Sequence, residues 1–111
     1  MEMQVDEIEG GITHVVLNGR FDLKATESVD MPFSLIAGSK TSVLVDLSNV
    51  DFLASLGIRV LVTSAKTIFR RGGKLVLVAP EGNALMVLKT AGIENLIPIF
   101  PERSTAIAAL G

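Results

Sequence analysis

"VLVDLSNVDFLASLGIRVLV", Val43 to Val62, contains the transition on which the fold turns. Val43, Leu44 and Val45 stand in a row, so Ser42–Leu47 reads as a strand buried on both faces. Beyond Ser55 the apolar period changes. Ile58, Leu61, Val62, Ala65, Ile68 and Phe69 form one helical stripe, with Arg59, Thr63, Lys66 and Arg70 on the other face. The spacing predicts a helix over Ser55–Arg71, stopped by Gly72-Gly73. Between strand and helix lies a short loop, Ala54–Gly57, which places one hydroxyl, Ser55, at the mouth of the helix.

Downstream the alternation repeats. Lys74–Ala79 is a second buried strand, Asn83–Thr90 a short helix closed by Gly92, Ile97–Phe100 an edge strand and Ser104–Leu110 a last helix. Upstream, Met3–Ile8 and Ile12–Leu17 alternate around Gly10-Gly11, the pattern of an antiparallel hairpin. Asn18–Asp22 reads as a loop, and Asp22 suits the cap of a helix over Lys24–Ala37. Pro32 interrupts that helix, which predicts either a kink or a start near Met31. A hairpin followed by alternating helices and buried strands makes one α/β domain with a mixed sheet, parallel in its later part. Ligands and partners of such sheets gather at the carboxyl ends of the strands, where the Ser55 loop should lie.

Composition narrows the function. The 111 residues suit one domain, and 49% are hydrophobic but mostly aliphatic, with five Phe and neither Tyr nor Trp. That is a core for sheet and helix rather than a base-stacking surface. The formal net charge of -2 argues against binding a nucleic acid. With no cysteine there is no disulfide or thiolate metal site. No apolar run approaches the ~18 residues that span a bilayer. The acidic start "MEMQVDEIEGG" is no secretory signal, so a cytoplasmic protein without membrane insertion is expected.

Little is left for catalysis. The lone His14 falls in a predicted strand, far in sequence from any serine, and reads as a strand histidine. "LASLG" lacks the first glycine of a nucleophile elbow, and no phosphate-cradling glycine loop is present. Asp46 and Asp51 flank the serine loop, with Asp22 a possible third carboxylate, but turn and sheet-end roles suit them better than a cation site. Ser55 has an ordinary role as the helix N-cap. The same position is also an anion site, because a helix N-terminus carries free amides and the positive end of the dipole. A phosphate there would add roughly -1.5 to -2 charges with little distortion of the fold.

The order of these segments resembles the STAS family of anti-sigma-factor antagonist domains. "VLVDLSNVDFLASLGIRVLV" is similar to its central signature, "LNGRFDLKATES" to its earlier Leu-x-Gly-x-Leu/Phe-Asp segment, and "RGGKLVLVAPEGNALMVLKTAGIENLIPIF" to its later part. The resemblance covers nearly the whole chain. It implies a single STAS-like domain over residues 1–111, a mixed sheet of about four to five strands, and helices mainly on one face. It implies no enzyme and no cofactor, but a bacterial partner-switching regulator. The unphosphorylated form binds an anti-sigma factor that is also a serine kinase of the histidine-kinase-like ATPase fold. Phosphorylation of the serine matching Ser55 ends the binding, and a metal-dependent serine phosphatase resets it.

The family's aspartate before that serine is Ala54 here, and its second Ser/Thr is Leu56. The matching docking surface takes in Arg20, Phe21, Asp22, Ala54, Leu56 and Gly57, with Leu56 as an apolar anchor and Arg59 and Lys66 as cations for an acidic partner. Two other readings are open. One is a structural subunit that holds an ATPase partner in a lipid-transport or sensory assembly without being switched. The other, and the weaker, is a small-molecule-binding or hydrolytic α/β enzyme.

Overall fold

The computed structural model describes residues 1–111. Strand β1 (Glu2–Ile8) turns back at Gly10 and Gly11, both at positive φ, into the antiparallel β2 (Ile12–Phe21). Such backbone is accessible to glycine at little cost, which is why this pair makes the hairpin. Then follow α1 (Leu23–Ser39), β3 (Ser42–Leu53), α2 (Ser55–Arg70), β4 (Lys74–Val78), α3 (Gly82–Thr90), β5 (Ile99–Phe100) and α4 (Arg103–Leu110). The sheet order is β1-β2-β3-β4-β5, and every pair after the first is parallel.

Each parallel step moves one strand in the same direction. Right-handed crossovers then place successive connecting helices on one face of the sheet. That face carries the main core. Val15, Leu17, Val43, Val45, Leu75 and Leu77 meet Val29 and Phe33 of α1, Leu61 and Ile68 of α2, and Leu88 of α3. The alternate residues, Ile12, Leu44, Val76 and Val78, form a smaller cluster covered by Ala106 of α4. A mixed five-stranded sheet with helices mainly on one face is the architecture expected.

Four local expectations change. Asn18–Phe21 is strand, not loop, and β3 runs on through Asp51 to Leu53. The turn-like residues Asn18-Gly19 pair with Asn49 and Val50 across an irregular register, so two would-be turns complete each other as a bulged ladder. Helix α1 starts at Leu23 and passes through Pro32, so of the two alternatives the start near Met31 falls. The carbonyl that loses its donor belongs to solvent-exposed Ser28, while Ala25, Val29, Phe33 and Ile36 bury a continuous face on both sides of the proline. The buried stripe of α2 is rotated from the predicted one. Val60 and Ser64 are buried because α1 lies along that flank, and Phe69 is exposed.

Candidate functional site

The carboxyl ends of β2 and β3 meet at the start of α2. Phe21 pairs with Leu53, and the Phe21 carbonyl accepts a 2.9 Å hydrogen bond from the Ala54 amide. This ties the β2–α1 junction to the β3–α2 junction. On the other side of the strand end, the Asn83 carboxamide oxygen at the start of α3 accepts from the Leu53 amide at 3.0 Å. Sequence reasoning missed Asn83. An asparagine beside Gly82 reads as a local turn residue, and a bond spanning thirty residues leaves no local pattern.

Ala54, not Ser55, is the N-cap of α2. It has extended backbone, and its carbonyl accepts the first helical bond, from Ile58, at 3.1 Å. The loop between strand and helix is thus a single residue, and the expected capping bond from Ser55 is absent because no side chain caps this end. Ser55 is the first helical residue and is exposed. The first-turn amides of a helix have no intrahelical acceptor. Those of Ser55, Leu56 and Gly57 therefore surround the serine at the positive end of a sixteen-residue helix dipole.

Beneath the serine the packing is tight. Phe21 is fully buried, and a Cβ placed on Gly57 would stand 2.9 Å from both Phe21 Cδ1 and Leu53 Cδ1. Phe21 and Gly57 therefore lie under the expected docking surface rather than on it. Glycine allows the first turn of α2 to seat directly on the phenyl ring. Leu56 faces outward at 38% exposure, beside Arg59 and across a shallow groove from Thr26 and Asp30 of α1. Lys66 lines a different groove, with Phe69 and Lys74. It lies eleven residues further along α2, about 16 Å at the helical rise.

Asp22 caps α1, its Oδ1 accepting from the Ala25 amide at 3.0 Å. Arg20 Nε stands 3.8 Å from Asp22 Oδ2, and its guanidinium lies 4.3 Å over the Phe52 ring. The Ala25 hydrogen bond, with help from Arg20, holds the Asp22 carboxyl below its ordinary 3.8. A carboxylate with a lowered folded-state pKa adds stability above its unfolded value, and that stability is lost as pH falls through the folded value. Asp22→Asn keeps a capping oxygen and removes the titration. Chemical denaturation midpoints measured from pH 7 to pH 3 should therefore fall less steeply below pH 3.8 in the variant than in the parent.

Asp46 accepts from the Ser48 amide at 2.9 Å, and Asp51 lies in β3 beside a groove shared with Glu81. His14 is buried in β2, with Nδ1 3.1 Å from Asp6 Oδ1 on the neighbouring strand. It does not approach the serine end. No helix is long and apolar enough to cross a membrane.

Known proteins are similar to this chain in sequence or in fold. BtrV of Bordetella bronchiseptica, which carries the name of an anti-sigma factor antagonist, is 26% identical over 110 residues, covering 98% of this chain and 94% of BtrV. The crystal structure of an anti-sigma factor antagonist from Mycobacterium paratuberculosis superposes with a TM-score of 0.87 at 22% identity, covering 98% of this chain and 92% of that one. The phosphorylated form of SpoIIAA, a cell-fate determinant of Bacillus, superposes with a TM-score of 0.76 at 17% identity, covering 99% and 100%. The STAS domain model matches residues 3–106, and the chain belongs to that family.

Proposed function

We propose that this protein is an anti-sigma factor antagonist that works by binding rather than catalysis, with Ser55 as its phosphorylation switch. The observation that carries the reading is Ser55 itself, an exposed hydroxyl on the first turn of a helix whose N-cap, Ala54, offers no side-chain acceptor. A phosphate there meets free amides and the helix dipole, so the domain stays folded while its surface charge changes by roughly -1.5 to -2. The names of BtrV and of the Mycobacterium structure, and the phosphorylated state of SpoIIAA, support this reading.

The docking surface is formed by Ser55, Leu56 and Arg59, flanked by Ala54, Arg20 and Asp22. Leu56 supplies an apolar anchor at its centre, and a charge introduced beside it must be desolvated when the partner docks. Ala54 removes the adjacent carboxylate of the family pattern, one negative charge fewer to oppose a phosphate on Ser55. The partner is an anti-sigma factor with serine kinase activity of the histidine-kinase-like ATPase fold, and a metal-dependent serine phosphatase reverses the modification, all in the cytoplasm.

The test uses an anti-sigma factor with a histidine-kinase-like ATPase domain, sought among the genes neighbouring that of this protein. Incubation with ATP should add one phosphate, mapped by mass spectrometry to Ser55 and lost in Ser55→Ala. Calorimetry should show Ser55→Asp binding that kinase at least about tenfold more weakly than the parent, a change of ~1.4 kcal/mol. Phosphate confined to another residue, or undiminished binding by Ser55→Asp, would refute the assignment.

A further inference from the structure

A groove of about 520 Å3 opens at the other end of α2, between its later turns, the start of β4 and the segment leading into β5. Its apolar wall is Val62, Ala65, Phe69, Leu75, Leu96 and Ile97. Phe69 is 77% exposed and Leu96 59%, so this wall faces water over two large side chains. The only charged residues lining it are Lys66 and Lys74. Neither has an acidic partner, since the three ion pairs of the chain are His14–Asp6, Arg20–Asp22 and Lys40–Glu7. Glu94, adjacent in sequence to the lining residue Asn95, pairs with neither lysine.

We propose that this groove binds a single-chain anionic amphiphile, a carboxylate on a medium or long alkyl tail. The volume lies within the roughly 300–1,000 Å3 of ligand pockets, and an apolar lining with a few polar groups is their usual character. The two unpaired ammonium groups set the sign of the head group. Their alkyl stems extend the apolar wall, as lysine side chains do when the charge reaches for water. The tail covers Phe69 and Leu96, removing their apolar surface from solvent. From Ser55 to Phe69 is fourteen residues of helix, about 21 Å. The site is thus separate from the serine surface, and its test is independent of the role of Ser55.

The probe is sodium dodecanoate, titrated below its micelle threshold into the 15N-labelled full chain and followed by NMR. Saturable shifts should appear in residues 62–75 and 95–98 and leave Ser55 and Leu56 unmoved. Dodecyltrimethylammonium, with the same tail and opposite charge, and butanoate, with the same head and a short tail, should each bind more weakly. The double variant Lys66→Ala/Lys74→Ala should weaken dodecanoate binding about tenfold at an unchanged melting temperature.

Equal binding of the cationic amphiphile, equal affinity in the double variant, or shifts scattered over the surface would overturn the proposal. So would dodecanoate-free dimerisation in light scattering whose concentration-dependent shifts map to the same groove, since the occupant would then be a second copy. Binding seen only with anionic vesicles, and not with monomeric dodecanoate, would overturn it in favour of a membrane surface.

Discussion

Replacing Phe21 by alanine is expected to lower stability by about 3–5 kcal/mol, the usual range for removing a buried phenyl ring. Phe21 is fully buried between the end of β3 and the first turn of α2. Its backbone also holds Ala54, the residue before Ser55. The loss has two sources, the transfer of the ring to water and the cavity left where the surroundings cannot collapse. Collapse is resisted here because Gly57 has no side chain to advance into the space and Leu53 is held by its strand pairing and by Asn83. Urea denaturation followed by far-UV circular dichroism gives the number. A loss below ~1 kcal/mol would mean that the ring packs less closely than described. Any weakening of partner binding in this variant must be compared at matched folded fraction, because Phe21 supports the serine surface from below.

Gly73→Ala is expected to cost about 3 kcal/mol, at or above the top of the usual ~1–3 kcal/mol range for overpacking. A Cβ on Gly73 would collide with the Thr41 carbonyl oxygen and lie 2.8 Å from Thr41 Cα and from Ile68 Cγ2. Two of these three atoms are backbone. Thr41 cannot withdraw easily, since its carbonyl accepts from the Lys74 amide at 2.7 Å. Arg71 clamps the same crossing by donating to the carbonyls of Ala37 and Lys40 at 2.8 and 2.7 Å. The α1–β3 and α2–β4 connections thus pass in direct contact, with glycine as the spacer. Gly72→Ala provides the contrast within one dipeptide. Its Cβ meets nothing within 4 Å, but its φ of 85° strains an L-residue, so it should lose only about 1 kcal/mol. Similar losses for the two variants in thermal denaturation would discount the close crossing at Gly73.

The two glycines show why part of the structure was legible and part was not. As a pair they mark the end of a helix, and α2 stops at Arg70. Only the packed molecule distinguishes Gly72, needed for its backbone angle, from Gly73, needed for its missing side chain. The same division runs through the serine end. The change of apolar period placed Ser55 at a helix start, and the capping role of Asp22 followed from its place before α1. The sequence offered no means of knowing that Asn18-Gly19 would be paired against the equally turn-like Asn49, because each is a turn signal until the other satisfies its backbone. It also assigned Phe69 to the core, since periodicity defines an apolar arc but not which edge of that arc a neighbouring helix will cover. Packing of α1 along the Val60–Ser64 flank left Phe69 facing solvent.

Local chemistry in the chain by itself determined the order of elements, the mixed sheet, the helix that begins at Ser55 and the poverty of acid–base groups. These depend on spacing, propensity and composition, which are properties of neighbouring residues. Tertiary structure alone decided that Ala54 caps the helix, that Phe21 and Gly57 lie beneath the serine surface, and that Lys66 belongs with Phe69 and Lys74 at the far end of α2. Those facts depend on which segments, distant along the chain, come to exclude water from one another.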